Sequence, residues 1–221
     1  MTALRLAHRG DWRVAPENSL AAMRAALAIA ACDGLEFDVR FSADGVPVLL
    51  HDPTLERVQG DASTAAAQTA AELERHGVPT LEVVLRAARR AFLDIELKEP
   101  PNDAFIELVD RARGTPGGGL ARVVVSSFLP EALEPIRRRR PGWPVWGNTR
   151  DLAPATLAAA VALGCAGVSV DWRSIDRAGL ARARAADLDV AAWTVRRRPT
   201  FDRLERLGAV AMCVEAGALD G

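Results

Sequence analysis

The sequence predicts an α/β fold, a TIM-type (β/α)8 barrel, and three observations carry that prediction. Short apolar runs alternate with helical segments along most of the 221 residues. The runs are near-continuous rather than alternating, as parallel strands covered on both faces should be. One run, Val46–Leu50, follows its predecessor after only the five residues Phe41 to Gly45, too few for a parallel crossover. Setting that run aside as an antiparallel return leaves eight strands, the number that closes a barrel. No glycine-rich turn follows the first strand, which argues against an open doubly wound sheet.

The elements follow in order. Leu4 to Ala7 is a first strand that ends in His8-Arg9-Gly10. Pro16-Glu17-Asn18-Ser19 opens a helix running to about Ala31, with Asn18 or Ser19 as its cap. Leu35–Val39 is the second strand, and Asp44-Gly45 favours the positive φ of a tight hairpin turn. A turn centred between Ala43 and Asp44 would pair Glu36 with His51. Residues 53 to 79 read as an irregular excursion, so residues 40–79 are expected to be a hairpin plus a short insertion within one domain spanning 1–221. Thr80 caps a helix behind Pro79. Further strands are expected at Phe92–Leu97, Arg122–Ser126, Pro144–Gly147, Gly167–Val170, Val190–Thr194 and Val210–Val214. Helices are expected at Asn102–Arg113, Pro130–Arg139, Pro154–Leu163, Ile175–Ala186 and Pro199–Leu207. Only seven residues follow the last strand, so the closing helix is truncated.

Composition restricts the function classes. Hydrophobic residues make up 49% and charged residues 26%, with a net charge of −1, so no global field steers the chain to nucleic acid or an anionic membrane. The basic run Arg137–Arg140 closes a helix, where cations suit the dipole. Cys32, Cys165 and Cys213 are odd in number and form no paired motif, which points to buried thiols in a reducing compartment. Met1 to Ala7 runs into a strand without the pattern of a signal peptide, and no apolar run approaches the ~20 residues of a membrane span. A cytoplasmic protein with no nucleic-acid partner is expected; nothing in the sequence fixes its oligomeric state.

The chemistry gathers at the C-terminal strand ends, where barrels of this kind place their active sites. Glu36 and Asp38 lie two residues apart on one strand and face the same way. Glu96 and Lys98 repeat the spacing on the next barrel strand. Buried polar groups of this kind are costly unless something positive joins them, and three carboxylates without a nearby cysteine suit a hard cation, Mg²⁺ or Ca²⁺. Two of the three histidines, His8 and His51, stand at the same mouth. Imidazole titrates near neutral pH and suits acid–base work. Arg9 and Lys98 add a planar guanidinium fork and a point charge at the same mouth.

His8-Arg9-Gly10, Pro16-Glu17-Asn18-Ser19, Glu36-x-Asp38, Asp44-Gly45-x-Pro47-x-x-x-x-His51-Asp52, Glu96-x-Lys98, Ser127-Phe128 and Trp193-Thr194 occur in this order. Together they resemble the glycerophosphodiester phosphodiesterase family, over His8 to Trp193. The resemblance implies hydrolysis of a small-molecule phosphodiester to glycerol 3-phosphate and an alcohol. Glu36, Asp38 and Glu96 would hold the metal, His8 and His51 would be the acid–base pair, Arg9 and Lys98 would bind phosphate, and Trp193 would wall the pocket. The chain departs from the family pattern after Arg57, at Arg196 where asparagine is common, and at Glu215 where aspartate is usual. Arg196 is an extra cation for a second phosphate or an anionic head group. Two other functions compete with this reading. A lysophospholipase D would need an exposed apolar ridge or an amphipathic helix, which the sequence does not display. A non-catalytic phosphate-ester-binding barrel would have lost part of the residue set, which is intact.

Overall fold

The computed structural model describes residues 2–221, so Met1 of the expected N-terminal run lies outside the described residues. Eight parallel strands close on themselves: β1 (Leu4–His8), β2 (Gly34–Phe41), β4 (Phe92–Leu97), β5 (Val123–Ser127), β6 (Val145–Thr149), β7 (Gly167–Asp171), β8 (Asp189–Val195) and β9 (Ala211–Val214). β1 pairs with both β2 and β9, which closes the ring. β3 (Pro47–Leu49) is bonded antiparallel to the outside of β2. The barrel is that expected from the sequence, with the hairpin return outside the repeat.

Helices α1 (Leu20–Leu27), α4 (Leu81–Ala87), α5 (Asp103–Arg113), α6 (Pro130–Arg139), α7 (Pro154–Ala162), α8 (Arg177–Ala185) and α9 (Arg198–Leu207) surround the ring. Their starts follow from local chemistry. Ser19, Asn102 and Asp176 each accept a backbone N–H of the first turn, and Pro130, Pro154 and Pro199 occupy early positions where a missing N–H costs nothing. α1 stops at Leu27, short of the expected Ala31. A turn of 3₁₀ helix, Ala216–Ala218, follows β9.

Strand alternation sorts the side chains. Phe37, Val39, Leu93, Ile95, Leu97 and Met212 point outward into the main core against the helices. Leu6, Val124, Trp146, Ala191 and Ala211 fill the lower lumen. Above that plug the inward positions turn polar: Glu36, Asp38, Asp94, Glu96 and Ser126 are all buried.

Two local readings need correction. The hairpin ladder pairs Val39 with Leu49 and Phe41 with Pro47 and ends there, so Glu36 does not face His51. The turn is a three-residue loop rather than a two-residue one: Ser42 N donates to Val46 O, and Gly45 takes φ 76°, the three-residue hairpin with glycine in the left-handed region. One added loop residue moves the register by one. The excursion at 53–79 is also more ordered than expected. It holds α2 (Glu56–Gln59) and α3 (Ala70–Arg75) around a small core of Val48, Leu50, Leu55, Ala65, Leu73 and Val78. Thr69 and Glu72 form a reciprocal capping box on α3, a signal that lay in the sequence inside an Ala- and Thr-rich window without apolar periodicity.

Candidate active site

The turn after β1 sets the first part of the site. Arg9 sits at φ 58°, Gly10 at 83° and Asn18 at 57°, all in the left-handed region. A side chain on Gly10 would meet the Ala22 backbone at 2.6 Å. Arg9 N donates to Glu36 O and Asn18 N to Arg9 O, so neighbouring backbone fixes a conformation that costs energy for a non-glycine residue. The result folds the Arg9 guanidinium back over β2.

There the charges interlock. Arg9 Nε lies 2.9 Å from Asp38 Oδ2 and Lys98 Nζ 2.9 Å from Asp38 Oδ1, as ion pairs. Lys98 also contacts Glu96. Asn18 Nδ2 donates to Asp38 Oδ2 at 2.8 Å. Burial disfavours the Asp38 anion, but Lys98 and Arg9 outweigh it and hold the carboxyl below its ordinary range. At Glu36 the pull of Arg9 is too weak to prevail. Burial, then the Asp38 and Glu96 charges, push it well up. Glu96 is raised by burial and Asp38 against the pull of Lys98. Asp94, fully buried and accepting a hydrogen bond from Ser126 Oγ at 2.6 Å, is pushed up to about 7, chiefly by burial.

Glu36, Asp38 and Glu96 bring one carboxylate oxygen each within 4.8 Å of one another. Glu36 Oε2 is buried with no hydrogen-bond partner, and His8 Nε2 stays 3.7 Å away. An orphaned buried oxygen, raised pKa values and an all-oxygen donor set fit a hard divalent cation.

Each predicted histidine is backed by a carboxylate and an arginine. His8 Nδ1 lies 2.6 Å from Glu215 Oε1, and Arg196 Nε donates to Glu215 Oε2 at 2.7 Å. Burial opposes ionisation of Glu215, yet the bonds from His8 and Arg196 bring it down to about 2. His51 Nδ1 lies 2.6 Å from Asp52 Oδ1, and Arg57 donates to Asp52 Oδ2. Arg57 also grips Glu17 with both terminal nitrogens, at 2.6 and 3.0 Å, and Glu17 accepts from Arg9 at 2.8 Å. The His51 imidazole is held below its ordinary value, first by burial and then by Lys98 and Arg9.

A cavity of about 290 Å³ opens over these groups. His8, Arg9, Glu36, His51, Glu96, Lys98 and Trp193 line it; Asp38 lies beneath, fully buried. Trp193 Nε1 donates to Ser169 O at 3.0 Å, and its ring meets Phe128 edge-on at 5.5 Å. The sequence reading brought all eight residues to one mouth. It missed Asp94, although Asp94 stands two residues before Glu96 on the same face, and it left Glu17, Asp52, Arg57 and Glu215 without roles. Arg196 donates through Nε to Glu215, and it is absent from the cavity lining.

Fold and site together define a class: a (β/α)8 barrel with a buried acidic triad, two cations and two imidazoles at one mouth. The chain belongs to the Glycerophosphoryl diester phosphodiesterase family, whose model matches residues 8–216. A 52-residue stretch, 24% of the chain, is 54% identical to Glycerophosphodiester phosphodiesterase 1 of Bos taurus and spans 15% of that protein's length. YhdW of Bacillus subtilis, named for the same activity, is 27% identical over 221 residues, 92% of this chain and 90% of that one. An Oleispira antarctica phosphodiesterase, solved in complex with the product sn-glycerol-3-phosphate, shares the fold with a TM-score of 0.83. It is 24% identical, over 96% of this chain and 93% of its own. No helix among the described residues is long and apolar enough to cross a membrane.

Proposed function

We propose that this protein hydrolyses glycerophosphodiesters to sn-glycerol 3-phosphate and an alcohol, with a divalent cation, Mg²⁺ or Ca²⁺, held by Glu36, Asp38 and Glu96. The reading rests above all on the buried carboxylate triad, with its unpartnered Glu36 oxygen, set beside two imidazoles, a guanidinium and an ammonium at one cavity. The family membership and the product named for the Oleispira protein point to the same substrate class.

Phosphodiester cleavage builds negative charge on the phosphoryl oxygens and on the departing alkoxide. The bound cation would supply Lewis acidity at the phosphate. Arg9 and Lys98 set fixed positive charge over the same spot, and their own carboxylate partners hold them in place. His8 and His51 divide the proton work. One takes the proton of the attacking hydroxyl or water, and the other delivers a proton to the leaving oxygen. Glu215 and Asp52 fix the tautomers by engaging Nδ1, so Nε2 of each ring is the working atom. The depressed His51 pKa keeps that ring neutral and ready to accept a proton at neutral pH, which favours His51 as the base and leaves the acid's part to His8. Trp193 provides the wall against which the glycerol lies.

The test is choline release from glycerophosphocholine in chelator, then with Mg²⁺ or Ca²⁺ restored. Release that requires the cation and is absent from Glu36→Ala, with calorimetric loss of cation binding in that variant, is the expected result. Undiminished release in chelator would refute the metal role, and no release with either ion would refute the substrate.

A further inference from the structure

In the closed ring β6 stands four strands from β1 whichever way round is taken. The end of β6 therefore lies across the mouth from the turn that carries Arg9. Trp146, Asn148 and Arg150 share one face of that strand and its extension. Trp146 belongs to the apolar plug of the lumen, and the two residues above it line the catalytic cavity.

Arg150 differs from the other cations there. Arg9 and Lys98 are each held by Asp38 at 2.9 Å. Arg150 is exposed, and it makes no ion pair among the described residues. The acids beside it are engaged elsewhere. Asp151 accepts from Thr156 Oγ1 at 2.7 Å and Ala153 N at 2.9 Å. Asp171, at the end of the neighbouring β7, accepts from Arg173 N at 2.9 Å and faces its guanidinium at 3.5 Å. Two residues back from Arg150, Asn148 Oδ1 is buried without a hydrogen-bond partner. A buried acceptor left open is costly and calls for a donor.

An unpaired guanidinium near an unpaired amide oxygen is complementary to a carboxylate with an amino group next to it. The fork of Arg150 takes the carboxylate, and Asn148 Oδ1 accepts from the ammonium. Glycerol carries no charge, so both groups belong to the departing alcohol. We infer that the end of β6 is a head-group subsite, in which Arg150 and Asn148 select glycerophosphodiesters whose alcohol is a hydroxy amino acid such as serine. With the phosphate over Arg9 and Lys98, the head group spans the mouth toward β6. This deepens the diesterase reading and rests on it. The reaction is unchanged: the oxygen of water bonds to phosphorus, the P–O bond to the head group breaks, and a proton ends on the departing serine hydroxyl.

Release of sn-glycerol 3-phosphate is measured from three diesters with Mg²⁺ or Ca²⁺ present. They are glycerophosphoserine, glycerophosphoethanolamine, which lacks only the carboxylate, and the 3-hydroxypropanoate diester, which lacks only the amino group. A partly exposed ion pair is worth about fivefold, so kcat/KM for the serine diester should exceed that for the ethanolamine diester by about fivefold, less at high salt. The hydroxypropanoate diester should also fall about fivefold behind, since it leaves Asn148 unpaired. Arg150→Gln should bring the serine-to-ethanolamine ratio to about one, and Arg150→Glu should invert it. Asn148→Ala should bring the serine-to-hydroxypropanoate ratio to about one and leave the other standing. A ratio taken within one variant cancels any loss of folded enzyme. A wild-type serine-to-ethanolamine ratio of one or below, or a preference that survives in Arg150→Gln, overturns the subsite while the diesterase reading stands. Equal rates for the serine and hydroxypropanoate diesters overturn the amino-acid class. No glycerol 3-phosphate from any of the three overturns the diesterase reading, and the subsite with it.

Discussion

His8 and His51 face one cavity with the same support, Nδ1 against a carboxylate at 2.6 Å and the carboxylate against an arginine. They are built in opposite ways. The His51 set is local: Asp52 is the next residue and Arg57 five beyond it, on the short α2. The His8 set spans the chain, from β1 through Arg196 after β8 to Glu215 after β9. Exposure differs as well, with the His8 side chain at 16% and that of His51 at 34%. The more buried, long-range set depends wholly on Glu215, because little water is at hand to replace it. The local set is wetter and is bridged by Arg57 and Glu17 to Arg9, so part of its order survives the loss of one bond. Equal hydrogen bonds thus carry unequal weight according to what surrounds them.

Breaking the comparison starts with the rings themselves. His8→Ala and His51→Ala should each lower kcat for glycerophosphocholine by about 10³-fold, the scale of acid–base catalysis; a drop of less than tenfold in either would remove that histidine from the reaction. One step back, the two carboxylates should separate. Glu215→Gln is expected to cost about 10²-fold in kcat and Asp52→Asn about tenfold, with KM little changed in both. Equal losses would show that burial does not set the weight of the support.

The arginines come next. Arg57→Ala should cost about fivefold, since it frees Glu17 as well as Asp52, and Arg196→Ala about threefold, since 69% of its side chain is already in water. Steady-state kinetics with glycerophosphocholine decides the order.

The smallest effect is on stability. Glu215 is held near 2 in the folded state against an ordinary 4.5. A carboxyl with a lowered folded value stabilises the fold above 4.5, and that contribution is lost as pH falls toward 2. Thermal melts should therefore place Glu215→Gln about 5 °C below the wild type at neutral pH, with the gap closing under acid. A gap that does not change with pH would mean that the substitution acts through packing rather than charge.

Much of this site could be read from the chain because its logic is of short range. The inward direction of Glu36, Asp38, Glu96 and Lys98 follows from a two-residue period on strands whose apolar content marks them as buried. The antiparallel status of Val46–Leu50 follows from the length of its connection. Other features escaped for stated reasons. The hairpin register hung on whether the loop had two residues or three, a choice made by the Ser42–Val46 bonds and the positive φ of Gly45. The capping box of Thr69 and Glu72 sat in a stretch without periodicity. Of the two expected caps of α1 Ser19 takes the role, and what the sequence did not show is that Asn18 is held at positive φ and spends its side chain on Asp38.

By itself the sequence determined the number of barrel strands, the faces on which the carboxylates lie and the adjacency of His51 and Asp52, though not their pairing. Each of these is encoded in residues within a few positions of one another, through strand alternation, connection length and adjacency. Tertiary structure decided the rest. Only ring closure, β1 bonding to both β2 and β9, carries Glu215 and Arg196 to His8. Those contacts join residues up to 207 positions apart, and no local period records which distant strand a barrel will set beside the first.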